Sequence, residues 1–115
     1  MALGGYDAVA YFDAGRPVKG EAQFRTTWKG AEFRFASAAH LAQFRANPAA
    51  YAPQFGGYCA WAVAEGHLAK GAPLAWRVVN GRLYLNYDAA VQARWAQDVS
   101  GNISRANRNW PSVLR

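Results

Sequence analysis

The sequence predicts an α+β fold in one domain over residues 1–115, with two antiparallel β-hairpins packed against several short helices. Three observations predict it. Asn80-Gly81 is a preferred two-residue hairpin turn and stands between two β-prone runs. Lys29-Gly30, a weaker turn, divides an earlier segment that alternates apolar and polar residues. Ser37 and Asp88 each precede an apolar stripe of helical period, where a short polar side chain caps the first turn.

Taken in order, residues 1–5 form an entry segment, and Tyr6-Asp7-Ala8-Val9-Ala10-Tyr11-Phe12 reads as a short strand or packed extended piece. Asp13-Ala14-Gly15-Arg16-Pro17 is a loop by its turn residues. The first hairpin covers residues 23–35 and pairs Trp28 with Ala31, Thr26 with Phe33, and Phe24 with Phe35 on a core face. Its other face pairs Arg25 with Arg34 and Thr27 with Glu32; two opposed arginines repel, so they are expected to be exposed or held by an anion. A helix then runs from Ser37 to about Ala46 and ends at Asn47-Pro48, because the residue before proline avoids the α region. Residues 48–51 begin another helical turn.

Gly56-Gly57 precedes an uncharged run, residues 58–64, expected to be a short buried helix from Tyr58 to about Glu65 with Gly66 as its cap. Residues 67–74 read as a loop. In the second hairpin Val78 pairs with Leu83 and Trp76 with Leu85 on the apolar face, while Arg77 faces Tyr84 and Val79 faces Arg82 on the other. Asp88 caps a helix over residues 89–97, Gly101 interrupts, and residues 102–109 form a last helix burying Ile103 and Ala106. Trp28, Tyr58, Trp61, Trp76 and Trp95 are read as core. No repeat of solenoid type, low-complexity segment or linker is read.

Composition narrows the functional classes. With 52% hydrophobic and 17% charged residues the chain is a folded globule rather than a disordered segment. One cysteine excludes an intrachain disulfide, and with two histidines it cannot complete a finger-type zinc site. The net charge of +6 is spread from Arg16 to Arg115 without a basic run, so the chain carries no strong nucleic-acid signal. No apolar run reaches the length of a transmembrane segment, and no signal peptide is read, which leaves open an upstream leader already removed.

Three stretches read together are similar to one family. They are Gly5-Tyr6-Asp7-Ala8-Val9-Ala10-Tyr11-Phe12; then Phe35-Ala36-Ser37 with Phe44, Asn47, Pro48 and Tyr51; then Gly56-Gly57-Tyr58-Cys59-Ala60 with Gly81-Arg82-Leu83-Tyr84-Leu85-Asn86. The chain resembles YHS-domain proteins of the small stand-alone bacterial branch, over nearly its whole length. That resemblance implies metal handling with copper favoured, a metal ion or metal-handling protein as partner, and a periplasmic home. The metal-associated branch has two cysteines where this chain has Ala36 and His40, so only His40 remains there as a ligand candidate.

The metal candidates are therefore His40 and Cys59. Cys59 is either a small buried hydrophobe or a soft thiolate donor suited to Cu(I) or Zn(II). His40 is either a ligand or a partly exposed ring packed on Phe44, its neighbour one turn on. His67 lies eight residues past Cys59 and joins the same site only if the chain folds back after Gly66. Asp7 is a ligand, an outer-shell acceptor or, more simply, a turn residue satisfying backbone donors. No catalytic constellation stands out: there is no phosphate-binding loop and no Gly-x-Ser-x-Gly elbow. A Cys59–His40 nucleophile pair needs a polar, accessible thiol, and the run around Cys59 is apolar. The sequence thus favours a non-enzymatic metal-binding module, with a metal-free binding or scaffold domain acting through a basic surface as the alternative.

Overall fold

The computed structural model describes all 115 residues. Helices are α1 (Ala10–Asp13), α2 (Ala38–Ala46), α3 (Pro48–Tyr51), α4 (Ala60–Ala64), α5 (Ala89–Ala96) and α6 (Val99–Asn109). Strands are β1 (Glu21–Trp28), β2 (Ala31–Phe35), β3 (Ala72–Val79) and β4 (Arg82–Asn86), in two separate two-stranded sheets, β1–β2 and β3–β4. The fold is α+β, as the turns and caps predict. The chain divides into two compact units: unit 1 is Met1–Ala52 with Val78–Leu83, and unit 2 is Pro53–Arg77 with Tyr84–Arg115.

Unit 1 opens with a tight turn over Ala2–Gly5 in which Leu3, Gly4 and Gly5 have φ of 56°, 58° and 87°. Tyr6 then bridges to Lys19, and the Asp7 N–H donates to the Val18 carbonyl at 2.8 Å. The expected strand over residues 6–12 is not formed; the chain turns into α1 instead. The cause is Asp7, whose Oδ1 accepts the Val9 and Ala10 N–H groups at 2.9 and 3.1 Å and so caps an incipient helix.

The first hairpin keeps the predicted register near its turn: Trp28↔Ala31, Thr27↔Glu32, Thr26↔Phe33 and Arg25↔Arg34. Further out the register shifts, and Phe35 pairs with Glu21 rather than Phe24. Close approach accompanies the shift, since a Cβ on Gly20 would lie 2.5 Å from the Arg34 carbonyl carbon. Arg34 is held by Glu32 at 2.8 Å, and that hydrogen bond lowers the Glu32 carboxyl below its ordinary pKa. Ser37 caps α2 through the His40 N–H at 3.1 Å. From α2, Phe44 is buried and packs on Phe33, Phe35 and Trp28 at ring distances of 4.7, 5.0 and 6.1 Å.

Unit 2 opens with a similar turn over Gln54–Gly57, in which Phe55, Gly56 and Gly57 have φ of 56°, 62° and 82°. Tyr58 bridges to Lys70, Cys59 bridges to Leu85, and the Cys59 N–H donates to the Ala69 carbonyl at 2.8 Å. Because Tyr58 and Cys59 are tied into these bridges in non-helical backbone, the helix starts at Ala60 and not at Tyr58. It ends as predicted at Gly66, with φ 88°, where His67 N–H reaches the Ala62 carbonyl and Gly66 N–H the Val63 carbonyl.

The next strand begins at Ala72, inside the expected loop. Asn80 and Gly81 turn the second hairpin with φ of 51° and 75°, the positive values that its turn type demands. Tyr84 is buried rather than exposed beside Arg77, because Phe55 and Trp95 cover its ring at 5.9 and 5.7 Å. Asp88 caps α5 through the Val91 N–H at 2.8 Å. Gly101 does not interrupt α6: its N–H is capped by Asp98 Oδ1 at 3.1 Å, and a Cβ there would meet that carboxylate at 2.1 Å. Asn109 closes unit 2 by donating to the Val63 and Ala64 carbonyls at the end of α4. Among the aromatics read as core, Trp95 is fully buried, whereas Trp28, Tyr58, Trp61 and Trp76 are half-buried.

Two outcomes follow for stability. Gly81→Val places a β-branched residue at positive φ and is expected to cost roughly 1–3 kcal/mol by urea denaturation. Gly71→Ala is expected to cost more, because its Cβ would lie 2.1 Å from the Gly57 carbonyl oxygen. A second outcome concerns alkali. Burial first, then Tyr6 and Asp7, pushes the Tyr11 phenol well above its ordinary range. The folded state therefore holds that proton more tightly than the unfolded chain, and the associated stability is whole below about pH 10 and lost as pH rises further. Tyr11→Phe should lose less stability than the wild type between about pH 9 and 11 in pH-resolved denaturation.

Candidate functional site

The polar centre of unit 1 is assembled by α1, the end of β2 and the first turn of α2. Asp7 is completely buried. Beyond the two N–H groups on Oδ1, its Oδ2 accepts the Ala36 N–H at 2.8 Å and lies 2.6 Å from His40 Nδ1. A carboxylate accepts, so Nδ1 is the donor, and in the neutral ring Nε2 keeps its lone pair. The His40 side chain is 21% exposed, and Nε2 stands 3.6 Å from Asp13 Oδ2, on an exposed carboxylate. Gln43 donates to the same Asp13 oxygen at 3.2 Å and steadies it. The row Asp7–His40–Asp13 is a carboxylate–imidazole–carboxylate chain with one buried and one open end.

Cys59 has different surroundings. It is 1% exposed, belongs to unit 2, and its thiol donates to Asn86 Oδ1 at 3.6 Å. Asn86 is equally buried and accepts the Trp61 N–H on the same oxygen at 3.1 Å. Its Nδ2 has no partner in the chain, and neither has the indole N–H of Trp95. His67 is exposed in the turn after α4. Nowhere do three His, Cys, Asp or Glu side chains converge so as to hold a metal ion. Of the arginines on the non-core faces of the two hairpins, Arg25, Arg34 and Arg82 belong to unit 1 and Arg77 to unit 2, and the charge of Arg34 is engaged by Glu32.

Residues 9–55 match the family model of the YHS domain. That segment of the chain is similar to a YHS domain. No curated protein and no solved structure matches the chain. The YHS segment contains His40 and Asp13 and ends before Cys59, while Asp7 lies two residues ahead of it. No helix is long and apolar enough to cross a membrane.

Sequence reasoning singled out His40 and Cys59, which the structure places in different units beside Asp7 and Asn86, and did not single out Asp13 or Asn86 as their neighbours. Asp13 looked like a loop residue because α1 was not foreseen, and without α1 nothing brings it beside α2. Asn86 looked like the end of a strand. The signal for Asp7 was present in part, since an Asp two residues before Val9 is placed to cap.

Asp7→Ala leaves four N–H groups without their acceptor, three on backbone and one on the ring. It should destabilise the protein by roughly 3–5 kcal/mol, whereas His40→Ala, which removes one half-exposed partner, should cost about 1 kcal/mol. Urea denaturation at neutral pH checks the difference; equal costs would show that Asp7 does not hold the segments together.

Proposed function

We propose that the protein is a non-enzymatic metal-handling module that presents His40 Nε2, with Asp13 beside it, to a copper ion. The observation that carries the reading is the Asp7–His40 hydrogen bond of 2.6 Å, because histidines that bind metal nearly always give their other ring N–H to a carboxylate or carbonyl. The separation of 3.6 Å between Nε2 and Asp13 Oδ2 also suits one ion: two bonds of about 2.1 Å span it when they meet at about 120°. Copper is favoured because a nitrogen–oxygen pair binds Cu²⁺ more tightly than the neighbouring first-row dications. The family is often linked to metal handling, which supports the same direction. Two protein donors leave coordination positions open, as suits an ion that is passed on.

In this reading Cys59 is a packing residue rather than a ligand. It is buried, and its S–H is spent on Asn86. A Cu(I) site would favour the opposite assignment, because the thiol is the softer donor.

Titration of the apo protein with Cu²⁺, followed by calorimetry and electron paramagnetic resonance, separates the two. One equivalent should bind with nitrogen hyperfine structure. His40→Phe should abolish it, Asp13→Asn should weaken it about tenfold or more, and Cys59→Ser should leave it unchanged. Binding that is lost in Cys59→Ser and kept in His40→Phe overturns the assignment.

A further inference from the structure

Residues 2–47 and residues 54–98 repeat one another piece by piece. The opening turns have φ values of 56°, 58° and 87° at Leu3, Gly4 and Gly5, and 56°, 62° and 82° at Phe55, Gly56 and Gly57. After each turn a tyrosine bridges to a lysine, Tyr6 to Lys19 and Tyr58 to Lys70. The next N–H, from Asp7 or Cys59, bonds the carbonyl before that lysine, at 2.8 Å in both. The glycine after the lysine then crosses the hairpin at a matching place: a Cβ on Gly20 would strike Arg34, and one on Gly71 would strike Leu85. Ser37 and Asp88 cap α2 and α5 through the third residue on, His40 and Val91. Phe44 and Trp95 are the buried aromatics of those helices.

We infer that residues 54–98 are a second copy of the unit that carries the YHS match, with its polar centre rebuilt. The correspondence places Cys59 where unit 1 has Asp7, Trp61 where it has Val9, Asn86 where it has Phe35, and Val91 where it has His40. In unit 1 the Val9 N–H is accepted by Asp7 from the loop; in unit 2 the matching Trp61 N–H is accepted by Asn86 from the strand. The polar group has changed sides of the same hydrogen bond, and a thiol or an aromatic ring fills the vacated position. With Val91 in place of the imidazole, the matching position of unit 2 presents no lone pair to an ion, and the unpartnered Asn86 Nδ2 marks where that centre was dismantled. The chain therefore has one imidazole centre, in unit 1, and a latent one in unit 2. The claim about metal rests on the proposed function; the claim about the second copy does not.

The test restores the latent centre with Cys59→Asp together with Val91→His. Proton NMR of the metal-free protein should show a second downfield imidazole N–H resonance beside that of His40, and Cu²⁺ titration should give two equivalents per chain in place of one. A folded double variant with only the His40 resonance overturns the inference. If the second resonance appears and neither protein binds Cu²⁺, the second copy stands and the metal reading falls. Should the double variant not fold, amide exchange in single variants decides. Asn86→Leu should speed exchange at Trp61 at least tenfold while Asn86→Asp keeps it slow, and unchanged protection in Asn86→Leu overturns the role given to Asn86.

Discussion

Asp7 is a fully buried carboxylate that accepts four N–H groups, from Val9, Ala10, Ala36 and His40. Burying such a group costs several kcal/mol unless its lone pairs are filled, and here four residues on three segments fill them. The opening loop, the exit from β2 and the first turn of α2 are thereby fixed to a common point. Hydrogen bonds to charged groups contribute about 1.5–3 kcal/mol each, so the four together offset the desolvation only if all are present. The polar centre and the local fold are for this reason one object.

The aromatic layer of unit 1 serves the same centre from the other side. Phe44 sits one helical turn after His40, and its ring is enclosed by Phe33, Phe35 and Trp28. Residues four apart lie on one face of a helix. Burying Phe44 therefore sets the rotation of α2, and that rotation turns His40 toward Asp7 rather than into open solvent. The Ser37 cap fixes the start of the helix to within a residue. Packing energy, a cap and one buried acceptor each determine a different degree of freedom of the imidazole.

The parts of this fold legible in the sequence are those set by local chemistry. Ser37 and Asp88 act as caps where they were expected, Gly66 ends its helix, and Asn80-Gly81 takes the positive φ values its turn requires. The missed parts depend on groups distant in sequence or on exceptions to local rules. Residues 6–12 are apolar enough for a strand, and only the capping by Asp7 makes them turn. Tyr84 alternates with Leu83 and Leu85, as in a strand with one wet face, yet Phe55 and Trp95 cover it. Gly101 looks like a helix breaker but is the one residue small enough to let the Asp98 carboxylate close over the first turn of α6. At the site, His40 was found by its chemistry, whereas Asp13 reaches it only through α1, an element that periodicity did not foresee.

His40 and Cys59 differ in what the proposed metal-handling role would demand of a donor. A ligand from which an ion must leave needs a lone pair near the surface, a fixed orientation and vacant neighbouring positions. His40 combines these: its Nδ1 is fastened by Asp7, its side chain is partly exposed, and Asp13 offers a single further oxygen. Cys59 has the softer atom and none of these features, since its sulfur is enclosed and its proton is directed at Asn86. To bind an ion it would have to lose that proton, break the contact and admit solvent into the interior of unit 2, with Trp61 N–H depending on the same amide oxygen. Donor softness favours the thiol, but access and orientation favour the imidazole, and for exchange the second pair of properties governs. A cysteine locked into the core in this way agrees with the inferred second copy, in which the polar group sits on the strand as Asn86.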